Sequence, residues 1–167
     1  MKEYKIFHII TGLEVGGSEN ALLRLILHSP DNYKHIVLCL TKGGAMRDVF
    51  LQSKINVINL DFKKSFFKSF YCLIKHIRRQ NPDIVQTWLY HANLIGGISA
   101  KLSGVNTVIW GLRGTAIPQS FFSLTNLVVN FGSFMSYFVP SSIVCNAESV
   151  RNFHANKGYS KNKLTII

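Results

Sequence analysis

Tyr4-Lys5-Ile6-Phe7-His8-Ile9-Ile10-Thr11-Gly12-Leu13-Glu14-Val15-Gly16-Gly17-Ser18-Glu19 is the stretch whose reading decides the fold. A short β-rich run, Tyr4 to Thr11, passes through a glycine-rich turn into a segment of helical period, Ser18 to His28, which Ser29-Pro30 closes. The same alternation continues outward. Further strands are predicted over His35 to Leu40, Val57 to Leu60, Ile84 to Thr87, Thr107 to Leu112 and Ile143 to Asn146, with another beginning at Leu164. Helices are predicted between them over Ala45 to Ser53, Phe66 to Gln80, His91 to Ser103 and Glu148 to Lys157. Several strands are apolar on both faces, as a sheet covered by helices requires. The fold class that follows is α/β: a doubly wound, Rossmann-like parallel sheet with helices on both faces, in one domain over residues 1–167.

Size and composition agree with one domain, since 167 residues of which 47% are hydrophobic suffice to fill one core. Nineteen Lys and Arg against eight Asp and Glu give a net charge of +11 and imply attraction to phosphorylated substrates, anionic lipid or nucleic acid. Cys39, Cys72 and Cys145 are odd in number and widely spaced, which suggests neither a disulfide framework nor a zinc site, but small buried hydrophobes in a reduced cytoplasm. The apolar run Ile6 to Ile10 is too short for a signal peptide, so a cytoplasmic protein is expected.

Two segments depart from an ordinary soluble domain. Between Phe62 and Pro82 there is no acidic residue, and Lys63, Lys64, Lys68, Lys75, Arg78 and Arg79 interleave with aromatic and aliphatic side chains. Such a basic amphipathic helix suits an anionic membrane surface, and equally a core-packed helix with a solvated basic face. Residues 114 to 147, with Pro118, Phe121 and Phe122 among them, hold no Asp, Glu, Lys, Arg or His. Interrupting Asn126, Asn130, Gly132 and serines favour a helix buried against the sheet, with a lipid-touching face, over a membrane span.

Ligands of a doubly wound sheet lie outside the carboxyl ends of the strands. Four predicted strands end in polar or unusual residues there: Gly16-Gly17, Trp88-Leu89-Tyr90-His91, Arg113-Gly114-Thr115 and Asn146-Ala147-Glu148. The glycine turn lets backbone approach an anion at a helix N-terminus, where Glu19 also matches the dipole. It is not GxGxxG, so a nicotinamide dinucleotide is not indicated.

Gly12-Leu13-Glu14-Val15-Gly16-Gly17-Ser18-Glu19, Pro82-Asp83-Ile84-Val85-Gln86-Thr87-Trp88-Leu89-Tyr90-His91-Ala92-Asn93 and Trp110-Gly111-Leu112-Arg113-Gly114 together resemble family 4 GT-B glycosyltransferases. The closing Asn146-Ala147-Glu148-Ser149 and Gly158-Tyr159 to Ile167 are similar to the run that precedes the crossing into that family's second domain. The resemblance implies an acceptor-side N-terminal domain of a retaining transferase, ending before the donor-binding domain. No metal and no cofactor beyond a nucleotide-sugar co-substrate are implied. Gly16, Gly17, Glu19 and Arg113 then become candidates for donor or acceptor binding. His91 and Trp88 compete for the role of the histidine that follows the fourth strand in the family. Arg113 stands where many relatives carry histidine.

The resemblance further implies a glycan or lipid-linked glycan acceptor in cell-envelope polysaccharide assembly, and a peripheral location on the inner face of the plasma membrane. The half-domain by itself is expected to be inactive. The alternative is a non-catalytic Rossmann-like module binding an anion or a membrane. No helix-turn-helix, RNP-like or zinc motif accompanies the charge, so no nucleic-acid partner is expected.

Overall fold

Residues 2–115 and 123–167 are described by the structure, a computed structural model. The strands are β1 (Tyr4–Ile10), β2 (Tyr33–Cys39), β3 (Asn56–Asn59), β4 (Ile84–Trp88), β5 (Thr107–Leu112), β6 (Ser142–Cys145) and β7 (Leu164–Ile166). The helices are α1 (Gly17–Leu27), α2 (Arg47–Gln52), α3 (Phe66–Gln80), α4 (Tyr90–Leu102), α5 (Leu124–Met135) and α6 (Glu148–Asn156). All seven strands join one parallel sheet in the order β3-β2-β1-β4-β5-β6-β7. The predicted doubly wound architecture is the observed one.

Right-handed crossovers dictate which helix covers which face. The chain steps one way from β1 to β3 and, after crossing back, the other way from β4 to β7, so α1 and α2 fall on one face and α3 to α6 on the opposite one. Two separate buried clusters agree. Leu22 of α1 and Phe50 of α2 pack with Ile10, Val37 and Trp88, whereas Leu73, Ala92, Val129 and Val150 of α3 to α6 pack with Phe7, Ile9, Val85, Val108 and Ile143. Neighbouring Ile9 and Ile10 belong to different clusters because successive strand side chains point to opposite faces.

Local chemistry explains the departures from expectation. Helix α2 is shorter than the predicted Ala45 to Ser53 because Gly43 and Gly44 take positive φ, 76° and 111°, and Met46 N–H donates to the Leu13 carbonyl at 2.9 Å. The loop is thereby tied to the β1 exit before the helix begins. Of the cysteines, Cys39 and Cys145 are buried and all three are free.

Helix α5 packs on the sheet along one line of residues. It buries only Val129 and Gly132, while Leu124, Leu127, Phe131 and Phe134, with Tyr137 and Phe138 beyond it, are exposed. The helix expected to pack on the sheet while keeping an apolar face outward has one buried line and a broad apolar outer face. Of the uncharged stretch, Pro118, Phe121 and Phe122 lie outside the described residues. Among the described residues no helix is long and apolar enough to cross a membrane. Helix α3 buries Ser69, Leu73 and Ile77 and turns Phe66, Phe67 and Tyr71 outward beside its lysines.

Helix α4 lies lowest on the sheet because Gly96 and Gly97 face it. A Cβ at Gly97 would collide with the Trp110 indole nitrogen and stand 2.8 Å from Val139 Cγ1. Gly97→Ala is expected to cost about 2 kcal/mol through overpacking, lowering Tm by roughly 4–8 °C in a domain of this size. A thermal melt that does not move would show that α4 can rise off the sheet freely.

Candidate functional site

Parallel pairing sets Ile10, Trp88 and Gly111 level across β1, β4 and β5, so the three strands deliver their following loops to one edge. The glycine turn, the start of α4 and the β5 exit are therefore neighbours on a single rim. Leu112 pairs with Cys145, which brings the start of α6 to the same edge.

At the first loop, Gly16 is the extended N-cap of α1 and Gly17 its first helical residue. The two glycines differ in what they face. A Cβ on Gly16 would meet the Glu19 carboxylate, whereas one on Gly17 would meet nothing within 4 Å. Glu19 is 8% exposed and folds back over the turn, where its charge complements the helix N-terminus. Asn20 secures the same turn by donating from Nδ2 to the Gly16 carbonyl at 2.8 Å.

Trp88 and His91, rivals in sequence, are separated by burial. Trp88 is 1% exposed, and its Nε1–H donates to His8 Nδ1 at 3.3 Å. Its ring belongs to the core and reaches the rim only through Arg113, whose guanidinium carbon stands 4.6 Å from the indole centroid. His91 is half-buried in the first turn of α4, with no hydrogen-bond partner for its ring among the described residues. Burial lowers its pKa, so the imidazole is neutral near pH 7 and offers one donor and one acceptor.

Leu89 links the strand to this helix at φ 72° and ψ 159°, a conformation that belongs to glycine. The strain is held in place from below. Asn93 Oδ1 accepts from Thr87 Oγ1 at 2.8 Å and its Nδ2 donates to the Gly111 carbonyl at 3.1 Å, clamping α4 to the ends of β4 and β5. The Tyr90 hydroxyl lies 3.0 Å from both the Gly114 carbonyl and His154 Nε2, tying the β5 exit to α6. Between these braces Leu89, Tyr90, Gly111, Leu112, Arg113 and Gly114 enclose a cavity of about 150 Å³.

Arg113 is the one cation among the described residues that line this cavity. Its Nε is buried with no acceptor among the described residues, and burial lowers its pKa. Beyond the six candidate residues, sequence reasoning assigned no individual role to Leu89, Tyr90, Asn93 or His8. For His8 nothing local marks the role, since its partner Trp88 lies 80 residues away.

The sequence matches the protein family described as Glycosyl transferase 4-like over residues 26–138, a span holding Trp88, His91 and Arg113 and excluding Gly16, Gly17 and Glu19. No curated protein matches the chain. Among solved structures, Anabaena Alr3699/HepE in complex with UDP is similar with a TM-score of 0.82 and 16% identity, over 98% of this chain and 43% of that one. UDP-GlcNAc 2-epimerase from Methanocaldococcus jannaschii has a TM-score of 0.68 and 15% identity, over 98% of this chain and 45% of its own. MurG from Acinetobacter baumannii has a TM-score of 0.66 and 12% identity, over 98% and 44%. The chain spans less than half the length of each of these proteins. At such identities the likeness is one of fold, and a fold that also serves an epimerase does not by itself choose a chemistry.

The histidines beneath the rim make an acid-sensitive element. His8 Nε2 and His35 Nδ1 are 2.9 Å apart, and burial, then the charge of His35, push the His8 pKa down from 6.5 to about 3. A folded-state pKa below the unfolded value means that the unfolded chain takes the proton first, so stability present above pH 6.5 is lost as pH falls towards 3. His35, also lowered by burial, acts in the same sense. Urea midpoints should show about 2–3 kcal/mol less stability at about pH 4.5 than at pH 7 from His8. His8→Asn, which retains an acceptor for Trp88, should flatten that limb; an unchanged slope would place the acid sensitivity elsewhere.

Proposed function

Because the chain belongs to the glycosyl transferase 4-like family, we propose that it is the acceptor-side half of a retaining, metal-independent glycosyltransferase. The sugar moves from a nucleotide-sugar donor to a hydroxyl of a lipid-linked or growing surface glycan, and a second domain holds most of the donor. The observation that carries this reading is the bare approach at Gly17, where the first turn of α1 opens beside β4 and β5 onto space that even a methyl group would not share with protein. HepE was solved with UDP and with UDP-glucose, which supports a nucleotide sugar as the co-substrate.

In this reading the donor diphosphate lies against the Gly16–Gly17 turn, met by main-chain N–H groups and the positive end of α1. Glu19 shapes the turn from within. The neutral His91 imidazole hydrogen-bonds a sugar hydroxyl near the reacting carbon, and Trp88 contributes as the platform under Arg113. Such preorganised donors stabilise charge that develops on the leaving diphosphate without reorganising during the reaction.

The reading extends to location. Exposed Phe66, Phe67 and Tyr71 on α3 stand among exposed Lys63, Lys64 and Lys68, and the apolar outer side of α5 lies on the same face of the sheet. Aromatics beside unpaired cations suit the headgroup region of an anionic bilayer, which favours peripheral attachment to the inner face of the plasma membrane.

Two measurements test the proposal. In the protein carrying both halves, Gly17→Ala should leave Tm unchanged or slightly raised, because the methyl meets no protein atom. It should lower kcat/KM roughly 100-fold, about 2.7 kcal/mol of transition-state stabilisation. Wild-type kcat/KM in that variant would return the turn to a purely structural role. Sedimentation with phosphatidylglycerol–phosphatidylcholine vesicles should fall by about two orders of magnitude in affinity when Lys63, Lys64 and Lys68 are all changed to glutamate. Unaltered sedimentation would leave α3 as a core helix with a solvated basic face.

A further inference from the structure

We propose that Arg113 is the receptor for an oxyanion carried by the saccharide bound at this rim, so that the protein selects an acidic sugar, bearing a carboxylate or a phosphate, over a neutral one. The inference rests on the reading of the rim as a saccharide site and specifies the class of saccharide.

A guanidinium offers two faces and an edge, and here one face is taken. Trp88 covers it at 4.6 Å, and the indole cannot swing away because its N–H is committed to His8 and its ring is buried in the core. The indole leaves the donor edge unengaged, planar and matched to the two oxygens of a carboxylate or phosphate. Among the described residues Nε is buried without an acceptor, a state that costs stability unless a partner supplies one.

Among the described residues no carboxylate pairs with Arg113. The ion pairs among the described residues join Lys34 to Glu3, Lys42 to Asp61 and Arg47 to Asp48, and none involves Arg113. Leu89 and Leu112 give the cavity apolar walls, which strengthen a charge-assisted hydrogen bond made inside it. Burial also lowers the guanidinium pKa, the expected consequence of a cation held without a counter-ion.

Size favours a small anionic group over a whole nucleotide diphosphate. The cavity, about 150 Å³, is below the range of pockets that enclose a drug-sized ligand, and suits an oxyanion with the edge of a ring. An anion of that size at Arg113 fits a group carried on the sugar itself, and the response to UDP distinguishes it from the diphosphate.

The test uses the chain labelled with 15N at arginine. It is titrated separately with methyl glucoside, methyl glucuronide, glucose 6-phosphate and UDP, following the Arg113 Nε–H resonance and the affinity of each. The expected result is that one or both acidic sugars move the resonance and bind at least tenfold more tightly than methyl glucoside. The tighter of the two identifies carboxylate or phosphate as the group. Arg113→Gln should abolish the preference while leaving Tm within a few degrees, and Arg113→Lys should retain only part of it. Equal binding of neutral and acidic sugars would overturn the inference while leaving the saccharide site standing. A resonance that moves with UDP but with neither acidic sugar would overturn it by assigning the guanidinium to the diphosphate. Failure to bind any of the sugars would remove the saccharide reading and the inference together.

Discussion

The ladder that holds β1, β4 and β5 in parallel register is the constraint on which the rest of the molecule depends. It sets Ile10, Trp88 and Gly111 abreast, so three loops distant in sequence open side by side. A slip of one residue in β4 would send each of its side chains to the opposite face. Trp88 would leave His8 for the side on which α4 lies close against Trp110, and Arg113 would lose the surface on which its guanidinium rests. The covering of both faces makes such a slip costly, because buried apolar side chains stand on each side of the central strands.

Polar cross-links finish what the ladder begins. Asn93 binds α4 to Thr87 and Gly111, Trp88 binds β4 to β1 through His8, and Tyr90 binds the β5 exit to His154 of α6. Each link joins groups that would be expensive to bury unpaired, so together they resist displacement of any one strand end. The strained Leu89 backbone lies among them, over-determined by its neighbours. A rim held this way can keep a guanidinium and an imidazole in fixed places without a ligand, which is the preorganisation that charge-stabilising sites need.

The two faces of the domain have unequal outer surfaces. On the α3-to-α6 side, α3 presents aromatics between lysines, and α5 presents leucines and phenylalanines without charge. A helix needs only one line of residues to pack on a sheet, and both helices carry more apolar surface than that line consumes. The excess distinguishes this face from the solvated exterior of an ordinary α/β domain.

The order of elements is legible in the amino-acid sequence, where β-rich runs alternate with helical periods and Ser29-Pro30, Asn81-Pro82, Gly104 and Gly158 punctuate them. These are local properties, and chirality then leaves few topologies for such an order. The glycine turn and the residues ending the strands mark the rim for the same reason. Which of Trp88 and His91 is buried is not legible there, because it depends on where His8, 80 residues before Trp88, comes to lie. The uncharged stretch suggests an outward apolar face but not which side chains form it, since that depends on how much of α5 is covered by α4 and Tyr159. Composition and period determined which elements form; tertiary packing alone decided which side chains were spent in the core and which were left at the rim, because burial is a property of contacts between segments that the sequence keeps far apart.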